Sequence, residues 1–388
     1  MASRILTINT GSSSLRAGVF SCEPDTTSLA TAHVERIGAD ATLHVGSQAG
    51  QAAQARTHRE ALDAVLARLG PFTTALDAIA HRVVHGGASL FAPTWLTPPV
   101  VREIATLVPL APDHLPQALD AIEGAARVFP AVAQAACFDT AFHHSMPGVA
   151  TMYPLPRRLR EAGVRRFGFH GLSCESIMER LRRSDPSAAA GRVIIAHLGS
   201  GASMTAVQNG QSVETTMGFS PTGGIMMGTR CGDLDPGVLL HLLRNGTDVD
   251  GIARLVNHEA GLLGVSGVSA DMRDLLAREP SDAHAAEAVA LFCHLARKAI
   301  GSLMVVLGGL DTLVFTGGTG QHSSAIRTRL CTNLDAFGLV LDQTRNSQHA
   351  AVISRAGARV VVRVIETDED LMLARHAHAL LAERGPHV

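Results

Sequence analysis

The chain has 388 residues, of which 46% are hydrophobic and 18% are charged, and its formal net charge is −2. This length allows two or three domains, and the hydrophobic content is typical of a globular chain with a large core. The near-neutral charge gives no electrostatic reason to expect nucleic acid or an anionic membrane as a partner, so we expect neither.

The basic residues are almost all arginine. Lys298 is the single lysine, so 32 of the 33 basic residues are arginine. A Walker phosphate loop and the ATP-contacting strand of protein kinases both need a lysine at a fixed place, and neither pattern is present. Any phosphate chemistry in this chain must therefore use arginine, backbone amides and metal.

Cysteine usage and hydropathy bear on the compartment. The six cysteines are scattered and form no CxxC pair, which favours a reducing compartment over a zinc or disulfide framework. We expect no leader, because the polar residues Asn9 to Ser14 interrupt the apolar run at the N-terminus early. The most apolar long stretch, 288–315, contains Arg297, Lys298 and several glycines, so it predicts a buried helix and strand rather than a membrane span. We predict a cytoplasmic protein.

In chain order, the first half opens with two apolar runs around the small-residue loop Asn9–Ser14, which predicts a hairpin over 5–20. Strands are predicted next at 31–37 and 42–45, then a helix over 59–69 that ends at Gly70. The remaining predicted elements of this half are a strand at 78–84, a helix at about 115–128 and a strand at 133–137 that leads to Asp139.

The second half begins with a proline-rich segment, 147–168, whose change in composition suggests a crossover between domains. A second hairpin is predicted over 193–207, and the glycine-rich stretch 217–237 predicts a long functional loop. The other predicted elements are helices at 174–183, 235–244, 249–257, 271–278 and 282–307 (N-cap Ser281), strands at 311–315 and 360–365, and helices from about 323 and after Glu369.

The two hairpins suggest that the halves are built alike. Gly11 and Gly199, in the two hairpin loops, lie almost half the chain length apart. Strands and helices alternate throughout, which predicts a mixed-sheet α/β architecture in two domains. Three Gly/Ser/Thr loops, 9–14, 197–203 and 316–320, follow apolar strands directly. Any one could be a structural turn, but three together favour a polyphosphate held by amides and hydroxyls.

Five residues are candidates for chemistry. Arg82 and Arg230 lie beside glycine-rich turns, where a guanidinium either binds a bidentate oxyanion or forms a structural ion pair. Asp139 and Glu369 are candidate Mg²⁺ ligands, although Glu369 could instead stabilise the first turn of its helix. His170 lies between glycines and aromatics, where it could face a transferring phosphoryl group or simply cap a turn.

Nine segments in order resemble those of the acetate kinase family. They are NTGSSSLR, HRVVHGG, FDTAFHHSMP, RRFGFHG, HLGSGAS, the stretch 217–236, GVSADMRD, VFTGGTGQHS and TDEDLMLAR. The resemblance implies an α/β protein with two duplicated domains of the actin-like ATPase (ribonuclease H-like) fold and an interdomain nucleotide cleft. We place the N-terminal domain at 1–147 with 369–388 and the C-terminal, nucleotide-binding domain at 148–368.

The resemblance also implies roles for residues that match the family motifs. Asp139, His170 and Arg230 would be catalytic, and Arg82 would hold the substrate carboxylate. Val84, Phe169 and Pro221 would line a methyl pocket. Asn9 and Glu369 would bind Mg²⁺ or Mn²⁺. The residues implied to bind ATP or ADP are Arg16, His197, Leu198, Gly199, Ser200, Gly201, Asp271, Met272, Arg273, Gly318, Thr319, Gly320, Gln321 and His322.

The implied reaction is reversible phosphoryl transfer from ATP to acetate by a homodimer. Ser200 stands where the family usually has Asn, and Gln321-His322 replace Glu-Asn, which affects the nucleotide site. Two alternatives stay open: a propionate kinase, because one methylene separates substrates weakly, and a non-catalytic nucleotide-dependent switch of the same fold.

Overall fold

A computed structural model of the chain describes residues 2–23, 25–38 and 40–383. The described strands are β1 Ser3–Thr10, β2 Ser14–Cys22, β3 Thr26–Glu35, β4 Thr42–Val45, β5 Gln51–Ala52, β6 Ala78–Val83, β7 Thr94–Trp95, β8 Ala133–Phe138, β9 Arg192–Leu198, β10 Ala202–Gln208, β11 Gln211–Thr215, β12 Thr312–Thr316 and β13 Val361–Val364.

The described helices are α1 His58–Leu69, α2 Pro98–Thr106, α3 Leu115–Val128, α4 Gly148–Thr151, α5 Arg157–Glu161, α6 Gly171–Ser184, α7 Pro186–Ala190, α8 Pro236–Arg244, α9 Val249–Arg254, α10 Gly261–Ser266, α11 Met272–Arg278, α12 Ala283–Val306, α13 Gly317–His322, α14 Ser324–Cys331, α15 Gln343–Ser347 and α16 Glu369–Glu383.

The chain divides into two units, Met1–Phe142 with Asp368–Val388 (unit 1) and His143–Thr367 (unit 2). The domain boundaries at 147/148 and 368/369 stay a prediction, and residues 1, 24, 39 and 384–388 of the first predicted domain lie outside the described ranges.

Unit 1 contains a sheet of order β5-β4-β3-β2-β1-β6-β8-β7. Both predicted hairpins are confirmed, and in this sheet β1 pairs antiparallel with β2 and parallel with β6. The central strands are buried on both faces, and Ile5, Leu6 and Ile79 are fully buried. Helix α1 begins after Thr57, whose hydroxyl accepts from Glu60 N, and its apolar face packs on this sheet.

Unit 2 repeats the central part of that plan. Its sheet has the order β11-β10-β9-β12-β13, with antiparallel β11-β10-β9 and parallel β9-β12-β13. Unit 1 has the same succession in β3-β2-β1-β6-β8, with the same strand directions. The duplication suggested by the two hairpin loops is therefore present in the fold.

Two local predictions in unit 2 are wrong. Helix α12 is capped by Asp282 rather than Ser281, because Asp282 Oδ1 accepts from the backbone of His284 and Ala285. The predicted loop at 316–320 is the helix α13, which starts at Gly317 directly after β12. The positive φ of Gly317 (74°) supplies the sharp change of direction that lets a helix follow the strand at once.

Helix α12 is long and apolar enough to cross a membrane by length and composition. It packs against α10, α11 and β10, and a helix in the core of a globular protein can be equally long and apolar.

The predicted long loop is also found, since no helix or strand lies between Thr215 and Pro236, and all of these residues are described. All six cysteines are free thiols.

Candidate active site

In unit 1, four predicted residues meet at the carboxyl ends of parallel strands. Asn9 is near the end of β1, Arg82 near the end of β6, Asp139 directly follows β8, and Glu369 starts α16. Parallel strands present these ends at one edge of the sheet, where α/β proteins place ligands. The fold therefore gathers residues that are far apart in sequence into one cluster.

Arg82 is the centre of this cluster. Its Nε donates to both carboxylate oxygens of Asp139 at 3.0 Å, and its Nη2 donates to Asp139 Oδ2 at 2.5 Å. Its Nη1 donates to Asn9 Oδ1 at 3.1 Å, and its Nε lies 3.7 Å from Glu369 Oε2. Burial alone would lower the pKa of Arg82, but the charges of Asp139 and Glu369 raise it above its ordinary value. Arg82 is therefore a permanently charged, bidentate partner of a carboxylate.

Asp370, which the sequence analysis missed, belongs to the same cluster. Its side chain is buried, and Arg16 Nε lies 3.9 Å from its Oδ2. Burial raises the pKa of Asp370 to about 7; Arg16 opposes this rise and Glu369 adds to it. Its position beside Glu369 in the run Thr367-Asp368-Glu369-Asp370 was the available signal, but the burial of one carboxylate of the run was not visible in the sequence.

The donor set of this cluster fits a hard divalent cation. Asn9, Asp139, Glu369 and Asp370 supply oxygen atoms, which Mg²⁺ and Mn²⁺ prefer. Within the described ranges, the buried Oδ1 of Asp370 has no hydrogen-bond partner. An unsatisfied buried carboxylate oxygen is costly, so a cation nearby would relieve its desolvation.

In unit 2, His170, His197, Gly201 and Arg230 converge. The rings of His170 and His197 are 4.3 Å apart, and a Cβ on Gly201 would lie 2.7 Å from Arg230 Nη2 and 3.2 Å from His170 Nε2. A side chain at position 201 would therefore collide with the Arg230 guanidinium and crowd the His170 ring. The glycine in this loop therefore leaves open space beside the imidazole and the guanidinium.

Polar contacts fix the orientation of these side chains. His170 Nδ1 is 3.2 Å from Ser203 Oγ, His197 Nδ1 is 2.8 Å from Ser173 Oγ, and Arg230 Nη1 donates to the carbonyl of Pro221 at 2.7 Å. His170 also has a left-handed backbone (φ 58°, ψ 28°), a conformation that costs a non-glycine residue about 1–3 kcal/mol. Such strain is concentrated at functional sites, which supports His170 over a plain turn residue.

All of the predicted nucleotide residues except Arg16, which is in unit 1, lie in three places in unit 2. His197 and Leu198 end β9, and Gly199, Ser200 and Gly201 form the tight turn to β10, with Gly228 N donating to Ser200 O at 3.1 Å. Asp271 caps α11, which contains Met272, and binds the guanidinium of Arg273. The third group, on α13, comprises Gly318, Thr319, Gly320, Gln321 and His322.

Arg327 on α14, which the sequence analysis also missed, holds α13 in place. This guanidinium is fully buried and donates to the carbonyls of Gly320 at 2.8 Å and Gln321 at 2.6 Å. Its other donors contact Asn346 and His349, and within the described ranges no carboxylate pairs with it. Burial lowers the pKa of Arg327 to about 10, so it stays charged at neutral pH. One arginine among 32 gave no signal in the sequence.

The residues predicted for the methyl pocket are all buried. Val84 directly follows β6 in unit 1, two residues after Arg82, whereas Phe169 and Pro221 belong to unit 2. Arg16 on β2 pairs with Asn9 on β1, and more than half of its side chain is exposed. A cavity of about 550 Å³ lies elsewhere in unit 2, next to Arg192 and Asp311, at the opposite ends of β9 and β12 from the glycine loop and α13.

Comparison with known proteins identifies the family. Residues 4–375 match the sequence profile of the acetokinase family. A protein named acetate kinase from Rhodopseudomonas palustris is 50% identical over 309 residues, which cover 79% of this chain and 77% of that protein.

Solved structures agree with the sequence match. The crystal structure of Porphyromonas gingivalis acetate kinase has a TM-score of 0.86 and 34% identity, and the match covers 98% of this chain and 100% of that one. A propionate kinase from Francisella tularensis has a TM-score of 0.89 and 32% identity, with 96% and 98% covered. The mixed α/β architecture with two sheets is that of the predicted actin-like ATPase fold. The chain belongs to the acetokinase family.

Proposed function

We propose that the protein transfers a phosphoryl group reversibly between ATP and acetate, giving acetyl phosphate and ADP. The observation that carries the proposal is the convergence of His170 Nε2 and Arg230 Nη2 on the space left open by Gly201. In a chain of this family, an anion-binding space bounded by an imidazole and a guanidinium suits the charge that develops on a transferring phosphoryl group.

The acceptor needs no general base. A carboxylic acid with a pKa of about 4–5 is ionised at neutral pH, so acetate is already a nucleophile. Asp139 is fully buried and bound by Arg82, so we assign it a role in charge placement, not in proton abstraction. Arg82 has the geometry to bind a carboxylate bidentately, and we propose that it holds the acetate carboxylate in exchange for part of its contact with Asp139.

We propose Mg²⁺, with Mn²⁺ as a substitute, as the cation held by Asn9 and Glu369, with Asp139 ordering its shell. Such a cation, when bound, neutralises charge on the phosphates. The chain's own residues then position the reactants: Arg230 and His170 stabilise the equatorial oxygens, and the glycine turn and α13 hold ATP or ADP through backbone amides. Arg16, Asp271, Met272 and Arg273 are proposed to contact the nucleotide.

Propionate kinase is the second candidate, because one of the structural relatives has that name. Val84, Phe169 and Pro221 are proposed to line the pocket for the acyl group, and one additional methylene changes binding by only about 1–3 kcal/mol. The ratio of kcat/KM for acetate and propionate decides between the two. An equal or higher value for propionate would replace acetate as the proposed substrate.

One assay tests the activity itself. The protein is incubated with ATP, Mg²⁺ and acetate, hydroxylamine converts any acyl phosphate into a hydroxamate, and ferric ion then gives a coloured complex with it. We expect hydroxamate that depends on all three reactants and on Arg230. ATP binding without hydroxamate from acetate or propionate would instead support the non-catalytic switch.

The proposed state is a cytoplasmic homodimer that binds no nucleic acid or membrane. Helix α8 supports a second copy as partner, because Val238, Leu240 and Leu243 are exposed and no residue of this apolar helix is buried. Light scattering after gel filtration should give twice the chain mass, and Leu240→Glu should shift the protein towards the monomer. A monomeric wild-type protein at micromolar concentration contradicts the dimer.

A further inference from the structure

Two histidines and a glutamate share one face of the sheet in unit 1, on strands β3 and β4. His33 faces His44 directly in the antiparallel register, and Glu35 follows His33 by two residues, so all three side chains are on the same face. The two imidazole rings are stacked, with centroids 4.5 Å apart and an interplanar angle of 2°. One nitrogen from each ring and one carboxylate oxygen all lie within 4.8 Å of one another.

These distances are close to those of a coordination shell. A tetrahedral ion with bonds of about 2.1 Å to nitrogen and oxygen has ligand atoms about 3.4 Å apart. His33 Nε2 and Glu35 Oε1 are already 3.5 Å apart. The planes of the two imidazole rings are nearly parallel, so at least one ring must turn for both nitrogen lone pairs to point at one ion.

The surroundings leave room for an ion while restricting one of its ligands. About half of the Glu35 side chain and a quarter of the His33 side chain are exposed, so water can complete the shell. Gly50 passes over the other histidine: a Cβ there would lie 2.5 Å from His44 Cε1. A side chain at position 50 would displace the ring, whereas glycine lets the segment pack against it and limit its movement.

We propose that His33, Glu35 and His44 form a binding site for a divalent transition-metal ion of the zinc class. Two imidazoles and one carboxylate suit Zn²⁺, Ni²⁺ or Co²⁺ better than Mg²⁺, which prefers oxygen alone. The site shares no residue with the proposed active site. The ion would link β3 to β4 near one edge of the sheet, and because it binds the folded state it would raise stability.

The experiment uses the full-length protein, stripped with a chelator and titrated with Zn²⁺ and, separately, with Co²⁺. We expect the wild type to bind one more Zn²⁺ per chain than the His33→Gln/His44→Gln double variant. Co²⁺ should give visible d–d absorption that the double variant lacks. Glu35→Gln keeps both imidazoles and should weaken Zn²⁺ binding at least about tenfold. His284→Gln, at an exposed position on α12, is the matched control and should bind as the wild type does.

Thermal unfolding gives an independent readout. At a hundredfold excess over its dissociation constant, Zn²⁺ should raise the Tm of the wild type by about 3 °C or more, and should leave the double variant unchanged. Circular dichroism of the stripped proteins confirms that the variants are folded. Equal zinc stoichiometry and equal Tm shifts in the wild type and the double variant would overturn the proposal and leave the histidines as a stacked pair only.

Discussion

The two units share a strand order but carry opposite chemistry at the same strand ends. In unit 1, the ends of β1, β6 and β8 bring together Asn9, Arg82 and Asp139, so that amide and carboxylate oxygens surround one guanidinium. In unit 2, the end of β9 and the turn that follows it bring His197 and Gly201 beside His170 and Arg230. One scaffold therefore presents one edge where we propose a cation (the cation-binding edge) and one edge where we propose a polyphosphate (the anion-binding edge).

We infer from this difference that the shared strand order determines where a site can form, whereas the side chains at the strand ends determine which ligand fits. A hard cation needs several oxygen atoms held at close range, and buried carboxylates such as Asp139 and Asp370 provide them. A polyphosphate needs donors and little steric bulk, which the turn after β9 provides through glycine. A cation and a polyphosphate are both reactants of the proposed phosphoryl transfer, so the proposed ligands of the two edges agree with the proposed function.

The largest expected effect comes from removing the cationic group of unit 2. Arg230→Ala should lower kcat about 10²–10³-fold if, as we propose, the guanidinium stabilises charge that develops in the transition state. The KM for ATP should change much less. Arg183→Ala, at an exposed position on α6, is the control and should keep normal kinetics. A near-normal kcat in Arg230→Ala would remove this residue from the catalytic set.

Variants of Arg327 test whether the anion-binding edge depends on the hydrogen bonds that Arg327 donates to α13. Arg327→Met leaves the carbonyls of Gly320 and Gln321 without their buried donor, so the free energy of unfolding should fall by about 3 kcal/mol and the KM for ATP should rise about tenfold or more. Steady-state kinetics and urea unfolding measure the two effects.

Arg327→Lys separates charge from geometry. Lysine keeps the charge but is a flexible point charge that cannot reproduce the planar fork. We expect a stability between those of the wild type and Arg327→Met. If the KM for ATP stays normal in both variants, Arg327 stabilises the fold and does not position α13 for nucleotide.

The sequence predicted elements whose pattern is local. The hairpins around Gly11 and Gly199 were identified correctly because apolar runs and small-residue loops are adjacent in the chain. The N-cap of α12 was assigned to Ser281, one residue too early, because Ser281 and Asp282 are both good caps and only the backbone geometry selects one. The helix α13 was missed because three glycines in six residues are typical of a loop, and only its tertiary contacts hold it helical.

For the site, the motifs gave residue identities but not their electrostatic partners. That Arg82 binds Asp139 depends on the alignment of β6 with β8, which spacing alone does not reveal. The left-handed backbone of His170 and the burial of Arg327 are properties of packing. The assignments of catalytic, metal and nucleotide roles stay predictions until the variants above are measured.

Acid stability should be limited similarly in both units, in contrast to their ligand chemistry. Burial lowers the pKa of His81 in unit 1 and of His143 in unit 2 to about 4, from about 6.5 in the unfolded chain. Between pH 6.5 and 4, each of these histidines is protonated in the unfolded state but stays neutral in the folded state. Each of the two histidines therefore lowers the free energy of unfolding by about 3 kcal/mol as the pH falls from 6.5 to 4.

Single variants isolate these contributions. The slope of the free energy of unfolding against pH, between pH 6.5 and 4, reports the number of protons that the chain takes up on unfolding. His81→Gln and His143→Gln should each reduce that number by one, as measured by urea titration at several pH values. His284→Gln, an exposed control, should leave the slope unchanged. A normal slope in His143→Gln would mean that its buried ring, bound to Phe169 O and Ser212 Oγ, is protonated in the folded protein.

The smallest effect concerns substrate choice and sharpens the role of unit 1. Val84 follows Arg82 by two residues, so if Arg82 holds the carboxylate, Val84 is placed to limit the length of the acyl chain. Val84→Ala should raise the ratio of kcat/KM for propionate to that for acetate about tenfold, the equivalent of one methylene. Val65→Ala, on the buried face of α1, is the matched control: it should lower stability but leave the ratio unchanged. An unchanged ratio in Val84→Ala would mean that residues of unit 2, such as Phe169 and Pro221, determine chain length without it.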